Sequence, residues 1–460
     1  MALAAPHLEE EGGRSMKLVR ERTVLEGSAR AELRGWLLLG LGALAVAGAL
    51  ALLLAAARAP GAQDWLPWGP DFFHKGLVTH VVFSFQIWLL AMLGALSVLA
   101  SPERTRRLGF AGLGLAGLGA ALLLVPTLAG SGEASLNNYV PVLVHPLYYT
   151  GLALLGAGVG LAAVRTLFMR AAGVFEFGIQ AAALSLLSAL MCFALATAAI
   201  PPGTPIDHLN ERLFWGGGHV LQFTNTLMLL VGWQVLAERA FGHGAMPPRT
   251  AKACFAAVAL FAIVAPVVYL RVDVLGLAHR QAFTQLLWYG LVLPPAIMGA
   301  GLVWGFVRGR FLWSSAPVLA LALSLAVFGL GGAAGFALGV ADTRTPSHYH
   351  AVIGGVNLVL MGVIHAVMLP MLGRAARGRW VGAQFHLYGF GQLLHALGFY
   401  IAGLAGVARK TAGAEQGLDS AVKLVSMGVV GLGGAIAVLG GVIFVVQVLA
   451  RLLRKEAPYG

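Results

Sequence analysis

The chain has 460 residues, of which 58% are hydrophobic and 11% charged. Soluble domains carry about 25% charged residues, so an ordinary cytosolic enzyme and an intrinsically disordered chain are both excluded. A net charge of +12 would suit nucleic acid in a soluble protein, but in so apolar a chain it reflects how cations divide between the two sides of a bilayer, and no nucleic-acid partner is expected.

Residues 1–35 read as a polar cytoplasmic tail, without the short apolar core and cleavage site of a signal peptide. From there apolar runs of about 20 residues recur. They predict spans near 36–57, 75–100, 108–129, 140–164, 176–200, 213–237, 251–272, 282–307, 316–340, 347–372, 380–405 and 420–450. These form one domain over 36–452, followed by a short tail over 453–460. The fold class is therefore an all-α polytopic membrane protein of twelve transmembrane helices. The alternating segments of a transmembrane barrel are absent from the sequence.

Cations fix the expected orientation. Of the 31 Lys and Arg, 22 fall on the side of the N-terminal tail, and nine, including Arg212, Arg280, Arg409 and Lys410, on the other. Both termini are then cytoplasmic, and the expected location is a bacterial inner membrane. Cys192 and Cys254 lie in apolar runs and read as packing residues.

With this orientation every even-numbered span starts at the outer face. His80 lies near the start of the second span, His219 near the start of the sixth, and His348 and His350 open the tenth. His279 follows the outer end of the seventh. At 1.5 Å rise per residue these five share a layer about 10 Å deep. Imidazole is a good ligand for haem iron, non-haem iron and copper. Residues two apart on a helix point about 200° apart, so His348 and His350 address different neighbours, as a helix between two haems requires. His145 reads as a structural histidine at the mouth of the fourth span. His365, His386 and His395 read as packing or interfacial residues, and His7, His74, His208 and His243 as tail or loop residues.

These residues resemble a known family. Twelve spans with histidines at the second, sixth, seventh and tenth look like the catalytic subunit of haem-copper oxidases and nitric oxide reductases. The most specific segments are FWGGGHVLQFTNTLMLLVGW, GLAHRQAFTQLLWYG and SHYHAVIGGVNLVLMGVIHAVMLP, which are most similar to the C-type oxidases and their nitric-oxide-reducing relatives. The resemblance implies that His80 and His350 are axial ligands of a low-spin haem and that His348 is the proximal ligand of a high-spin haem, both expected to be b-type. It implies that His219 and His279 bind a second, non-haem metal, Fe or Cu, and that Arg409 and Lys410 neutralise haem propionates. The family has a second histidine where this chain has Arg280, so Asp273 is expected either as third ligand or as proton donor, and Gln222 as a group within reach of the metal. Glu211 and Asp273 are the expected proton route from the outer face.

Two tyrosine positions that oxidases use for a fourth electron hold Asp273 and Phe223. Reduction of two NO to N2O needs two electrons and two protons, so NO reduction is the favoured activity. Electrons would come from a periplasmic cytochrome c or cupredoxin-type donor. The alternatives are a cytochrome c oxidase reducing O2 to water, with Tyr269 as the radical donor, and a haem-only protein that binds gas or conducts electrons.

Overall fold

The computed structural model describes residues 24–25, 27–58, 71–339 and 341–454. His7, the tail cations Arg14, Lys17, Arg20 and Arg22, and Lys455 lie outside the described residues.

Among the described residues, twelve helices are long and apolar enough to cross a membrane. They are α1 (Gly27–Ala57), α2 (Asp71–Ala100), α3 (Glu103–Leu128), α4 (Pro146–Phe168), α5 (Val174–Ala199) and α6 (Ile206–Phe241). They continue with α7 (Pro248–Leu270), α8 (Leu277–Arg308), α9 (Ala316–Gly335), α10 (Arg344–Met371), α11 (Arg379–Leu404) and α12 (Ala421–Leu452). The number and order match the apolar runs of the sequence. Ends are set by ordinary signals. His145 Nδ1 accepts from Leu147 N ahead of Pro146 at the start of α4, and Gly242 takes the left-handed conformation (φ 80°) that stops α6.

Several boundaries differ from the sequence reading, among them the start of α6, at Ile206 rather than near 213; two of them have a clear local cause. The first helix begins at Gly27 rather than near 36, because Glu32 is buried as an ion-pair partner instead of lying in a solvated tail. The fourth begins at Pro146 rather than near 140. The preceding segment is a small antiparallel hairpin, β1 (Glu133–Ser135) paired with β2 (Val142–Val144), Glu133 opposite Val144. Apolar Val140, Val142 and Leu143 are buried there as loop and strand, and Pro141 has no backbone N–H to give a helix.

The hairpin marks one end of the bundle, toward which every even-numbered helix begins. Three helices make the centre. The apolar windows of α2, α6 and α10 are 89%, 94% and 78% buried, against 28–50% for the other nine spans, whose exposed apolar faces suit lipid. Around them, α3 packs on α4 and α11 on α12 through small residues. A Cβ on Gly112 would stand 2.5 Å from the Gly158 carbonyl oxygen, and one on Gly391 2.4 Å from Ala437 N, so each pair of backbones meets directly. α8 changes its path between Leu291 and Leu293, just before Pro294–Pro295.

At the end opposite the hairpin, Glu32 of α1 bridges Arg106 of α3 at 2.9 Å and Arg165 of α4 at 2.6 Å, with Trp36 Nε1 and Ser97 Oγ completing the network. Arg106 and Arg165, counted among the loop cations in the sequence, are thus buried. Cys192 and Cys254 are buried free thiols, as expected of packing residues.

Candidate functional site

The three central helices carry the histidines. His80 on α2 donates from Nδ1 to the Ala47 carbonyl of α1 (2.9 Å). A π-helical turn, Val82–Ile87, follows it directly, the kind of local irregularity that often marks functional positions. His348 on α10 donates from Nδ1 to the Gly331 carbonyl of α9 (2.7 Å). Since a carbonyl only accepts, Nδ1 is protonated in both rings and the lone pair lies on Nε2, so the carbonyl fixes the ring in the orientation a ligating imidazole needs. His350 lies two residues beyond His348 on α10, its ring 4.8 Å from that of His395 on α11 and 5.6 Å from Phe399. His395 in turn bonds the Val430 carbonyl of α12 (2.8 Å).

His80, His348, His350 and His395 all line one cavity of about 1690 Å³. Drug-sized ligand sites are about 300–1,000 Å³, so this chamber has room for more than one large planar group. Its walls are mostly apolar, and its polar groups converge at the hairpin end. Arg409 and Lys410 line it there. Their loop is pinned to the entry of α10 by Arg409 N to the Ala341 carbonyl (3.1 Å) and Thr343 N to the Val407 carbonyl (3.0 Å). Lys410 itself takes a left-handed backbone (φ 63°), and its ammonium bonds the Leu136 carbonyl of the hairpin loop. Burial, helped by Arg409 and opposed by Glu211, lowers the Lys410 ammonium to about 8. Anchored imidazoles, a large apolar chamber and two adjacent cations are the features that haem macrocycles and their propionates need, and these residues fit two haems.

His219 on α6 stands at the same chamber in different company. Its Nδ1 bonds the Trp215 carbonyl (2.7 Å), and its Nε2 is 3.0 Å from the hydroxyl of Tyr139. Tyr139 comes from the hairpin loop with a left-handed backbone (φ 67°), uncommon for a residue with a side chain. Glu211 holds that loop by accepting from Asn138 N (3.1 Å) and Asn138 Nδ2 (2.9 Å), while Gln86 Nε2 donates to the Tyr139 carbonyl (3.0 Å). Burial first and then the nearby Glu211 carboxylate hold the Tyr139 phenol protonated, far above its ordinary range. Three glycines before His219 make this packing possible. A Cβ at Gly216 would meet Tyr269 Oη at 2.2 Å, at Gly217 the Phe193 ring at 2.4 Å, and at Gly218 the Tyr139 Cβ at 2.4 Å.

The other residues singled out in the sequence are only partly assembled. His279 is fully buried in the first turn of α8, against Tyr269 (4.8 Å) and Phe283 (4.9 Å). Among the described residues, both its nitrogens and the Tyr269 hydroxyl lack hydrogen-bond partners, and His279 is outside the cavity lining. Asp273 is exposed and accepts from Leu275 N (3.1 Å), capping its own turn rather than turning toward His219. Gln222 lines the chamber and donates to the Gly218 carbonyl (3.3 Å). Arg280 also lines it, its guanidinium 4.5 Å over the Trp215 ring. Among the described residues no three His, Cys, Asp or Glu side chains converge as a metal set. With His219 bonded through both nitrogens, His279 outside the chamber and Arg280 in the third position, the donors do not fit a second metal, which needs three or more protein ligands.

Two residues of the site were not expected from the sequence. The sequence marks His395 as a packing or interfacial residue, although its depth, nine residues before the hairpin end of α11, matches that of His80 and His350. Tyr139 had no signal beyond its place in a polar stretch before Pro141.

The comparisons with known proteins agree with this fold. The family model described as Cytochrome C and Quinol oxidase polypeptide I matches residues 33–449, and the chain belongs to that family. It is therefore a multi-pass membrane protein of the haem-copper oxidase superfamily, a family of membrane respiratory oxidoreductases. An uncharacterized protein of Aquifex aeolicus is 30% identical over 341 residues, covering 72% of this chain and 82% of the relative. An uncharacterized protein of Rickettsia prowazekii is 24% identical, covering 89% of this chain and 94% of the relative. A heme-copper terminal oxidase dimer solved by cryo-electron microscopy is 14% identical with a TM-score of 0.74, covering 94% of this chain and 85% of that one; this likeness is one of fold.

Proposed function

We propose that the chain is a two-haem oxidoreductase that reduces NO to N2O in a bacterial inner membrane, with both termini cytoplasmic. His80 and His350 would hold a low-spin haem, His348 would hold a high-spin haem, and Arg409 with Lys410 would meet the propionates. The observation that carries this reading is the single chamber of about 1690 Å³ shared by those three imidazoles and the basic pair. Bound haems supply one-electron redox chemistry and an open iron position for a gas. Electrons enter from a cytochrome c or cupredoxin-type donor at the hairpin end.

Electron counting favours NO. Two haems store two electrons, and 2 NO + 2 e⁻ + 2 H⁺ gives N2O + H2O. Added electrons put negative charge on the substrate, and Arg280 is a cation lining the same chamber. Glu211 acts as a positioning residue, holding the loop that presents Tyr139 to His219.

One observation supports O2 reduction as a second reading. The tyrosine absent from both usual positions is supplied by the loop, at 3.0 Å from His219. The purified complex with a reduced artificial donor separates the two. NO reduction predicts N2O at half the rate of NO loss under anaerobic conditions and slow O2 uptake. Rapid O2 uptake to water without NO turnover would reject it.

A further inference from the structure

The place where the family resemblance would put a second metal ion is crowded here by groups of another kind. Trp215 is the hub: its ring lies 4.6 Å from His219 and 5.9 Å from Tyr139, and Arg280 covers it at 4.5 Å. Trp215 Nε1 also donates to the Arg280 carbonyl (3.3 Å), so the entry of α8 and α6 are held in register at this spot. All four side chains line the chamber. Among the described residues Arg280 forms no ion pair; its charge is held by the Trp215 face.

Two features argue against a metal ion beside this cluster. The lone pair on His219 Nε2, the nitrogen a metal would take, accepts the Tyr139 hydroxyl, since Nδ1–H is committed to the Trp215 carbonyl. The next residue after His279 is a permanent cation instead of an imidazole, and a second cation placed beside it is repelled. The same groups suit an anion. A guanidinium offers several N–H donors in a fixed fork and stays charged when partly buried. Gly218, where a Cβ would stand 2.4 Å from the Tyr139 Cβ, and the left-handed backbone of Tyr139 (φ 67°) together let the phenol reach this cluster.

We propose that Arg280 and the Tyr139–His219 pair replace the second metal ion of the family, and that they form a site for a small anion in the chamber. The fixed positive charge is then organic and cannot be chelated away. The inference rests on the reading of the chamber as a haem site, and its test is chosen to fail separately from that reading.

Elemental analysis of the full-length purified protein, with haem quantified independently, gives the primary result. We expect two haem irons per chain and no further Fe, Cu or Zn, unchanged after incubation with Cu(II) or Fe(II) and dialysis. A third metal near one equivalent, retained through dialysis, overturns the inference while leaving the haem reading intact. A chain without haem fails the haem reading, and its Cu, Zn and Fe content still decides this one. Azide titration of the oxidised protein, followed by its optical spectrum, tests the anion site. Arg280→Gln should weaken azide binding roughly tenfold, as loss of a charge-assisted hydrogen bond does, and Arg280→Lys should recover part of it. Equal azide affinity in Arg280→Gln and the parent protein, with both haems present, overturns the proposal.

Discussion

The three glycines ahead of His219 show how single residues build this site. Each omits a side chain at a point where an aromatic ring must come within contact of α6, and Gly218 is the one that admits Tyr139. Gly218→Ala places a Cβ 2.4 Å from the Tyr139 Cβ. Overpacking of this kind costs about 1–3 kcal/mol, and here it also pushes Tyr139 off His219. We expect a lower melting temperature in detergent together with loss of the Tyr139–His219 contact, visible as a changed tyrosine ultraviolet signature on comparison with Tyr139→Phe. A stability loss without that change would make Gly218 a packing residue only. For the haems, His350→Ala should abolish the low-spin signal and leave five-coordinate high-spin absorption, read by optical and electron paramagnetic resonance spectra. Unchanged spectra would remove His350 from the ligand set. At this scale the sequence was most legible for histidines on regular helices, because depth follows from counting residues. Tyr139 was not legible, since its approach depends on a hairpin and a left-handed backbone that no periodicity reports. Asp273 illustrates the converse: the sequence marks it as an ionisable residue near an apolar helix, and its observed bond, from Leu275 N, is the local cap of its own turn.

Elements are held to one another by a few polar junctions in an otherwise apolar bundle. The α1–α3–α4 junction buries Glu32, Arg106 and Arg165 together. Removing one charge strands the others, which costs about 3–5 kcal/mol for a buried pair. Glu32→Gln should therefore lower thermal stability in detergent sharply without altering haem spectra of the protein that remains folded; an unshifted melting temperature would show the cluster to be solvated. At the other end, the hairpin loop and the loop between α11 and α12 meet where Lys410 bonds the Leu136 carbonyl. Burial lowers the Lys410 ammonium to about 8. The folded, haem-free chain thus releases this proton at lower pH than the unfolded chain does. Its stability rises with pH from about 8 toward the ordinary lysine range of about 10.4. Amine-directed labelling mapped by mass spectrometry should accordingly modify Lys410 from about pH 8 upward, below the other lysines, in haem-free protein. Propionates would keep it protonated and protected in the loaded form. Labelling indifferent to haem would separate Lys410 from the propionates. The sequence marked both helix ends and the basic pair here, yet it could not show which loops touch, because loop contacts are set by tertiary packing rather than by hydrophobic period.

Across the whole molecule, the alternation of twelve antiparallel helices is what turns sequence position into depth. α2, α6 and α10 all start at the hairpin end and are the most buried helices. Their early turns therefore gather in one layer, and the histidines with them. This much of the architecture follows from apolar run length and parity alone. What parity leaves open is which side of each helix faces inward, and so which imidazoles share a chamber. His279 has the right depth but stands outside it, whereas His395 has the right depth and lines it.

The proposed function requires the imidazoles of this layer to grip two porphyrins. Haem content of the purified chain, by pyridine haemochrome against protein mass and with carbon monoxide added to the reduced form, tests it most directly. The prediction is two haems per chain, one six-coordinate and unreactive, the other five-coordinate and binding carbon monoxide. One haem or none, or two that both resist carbon monoxide, would contradict it.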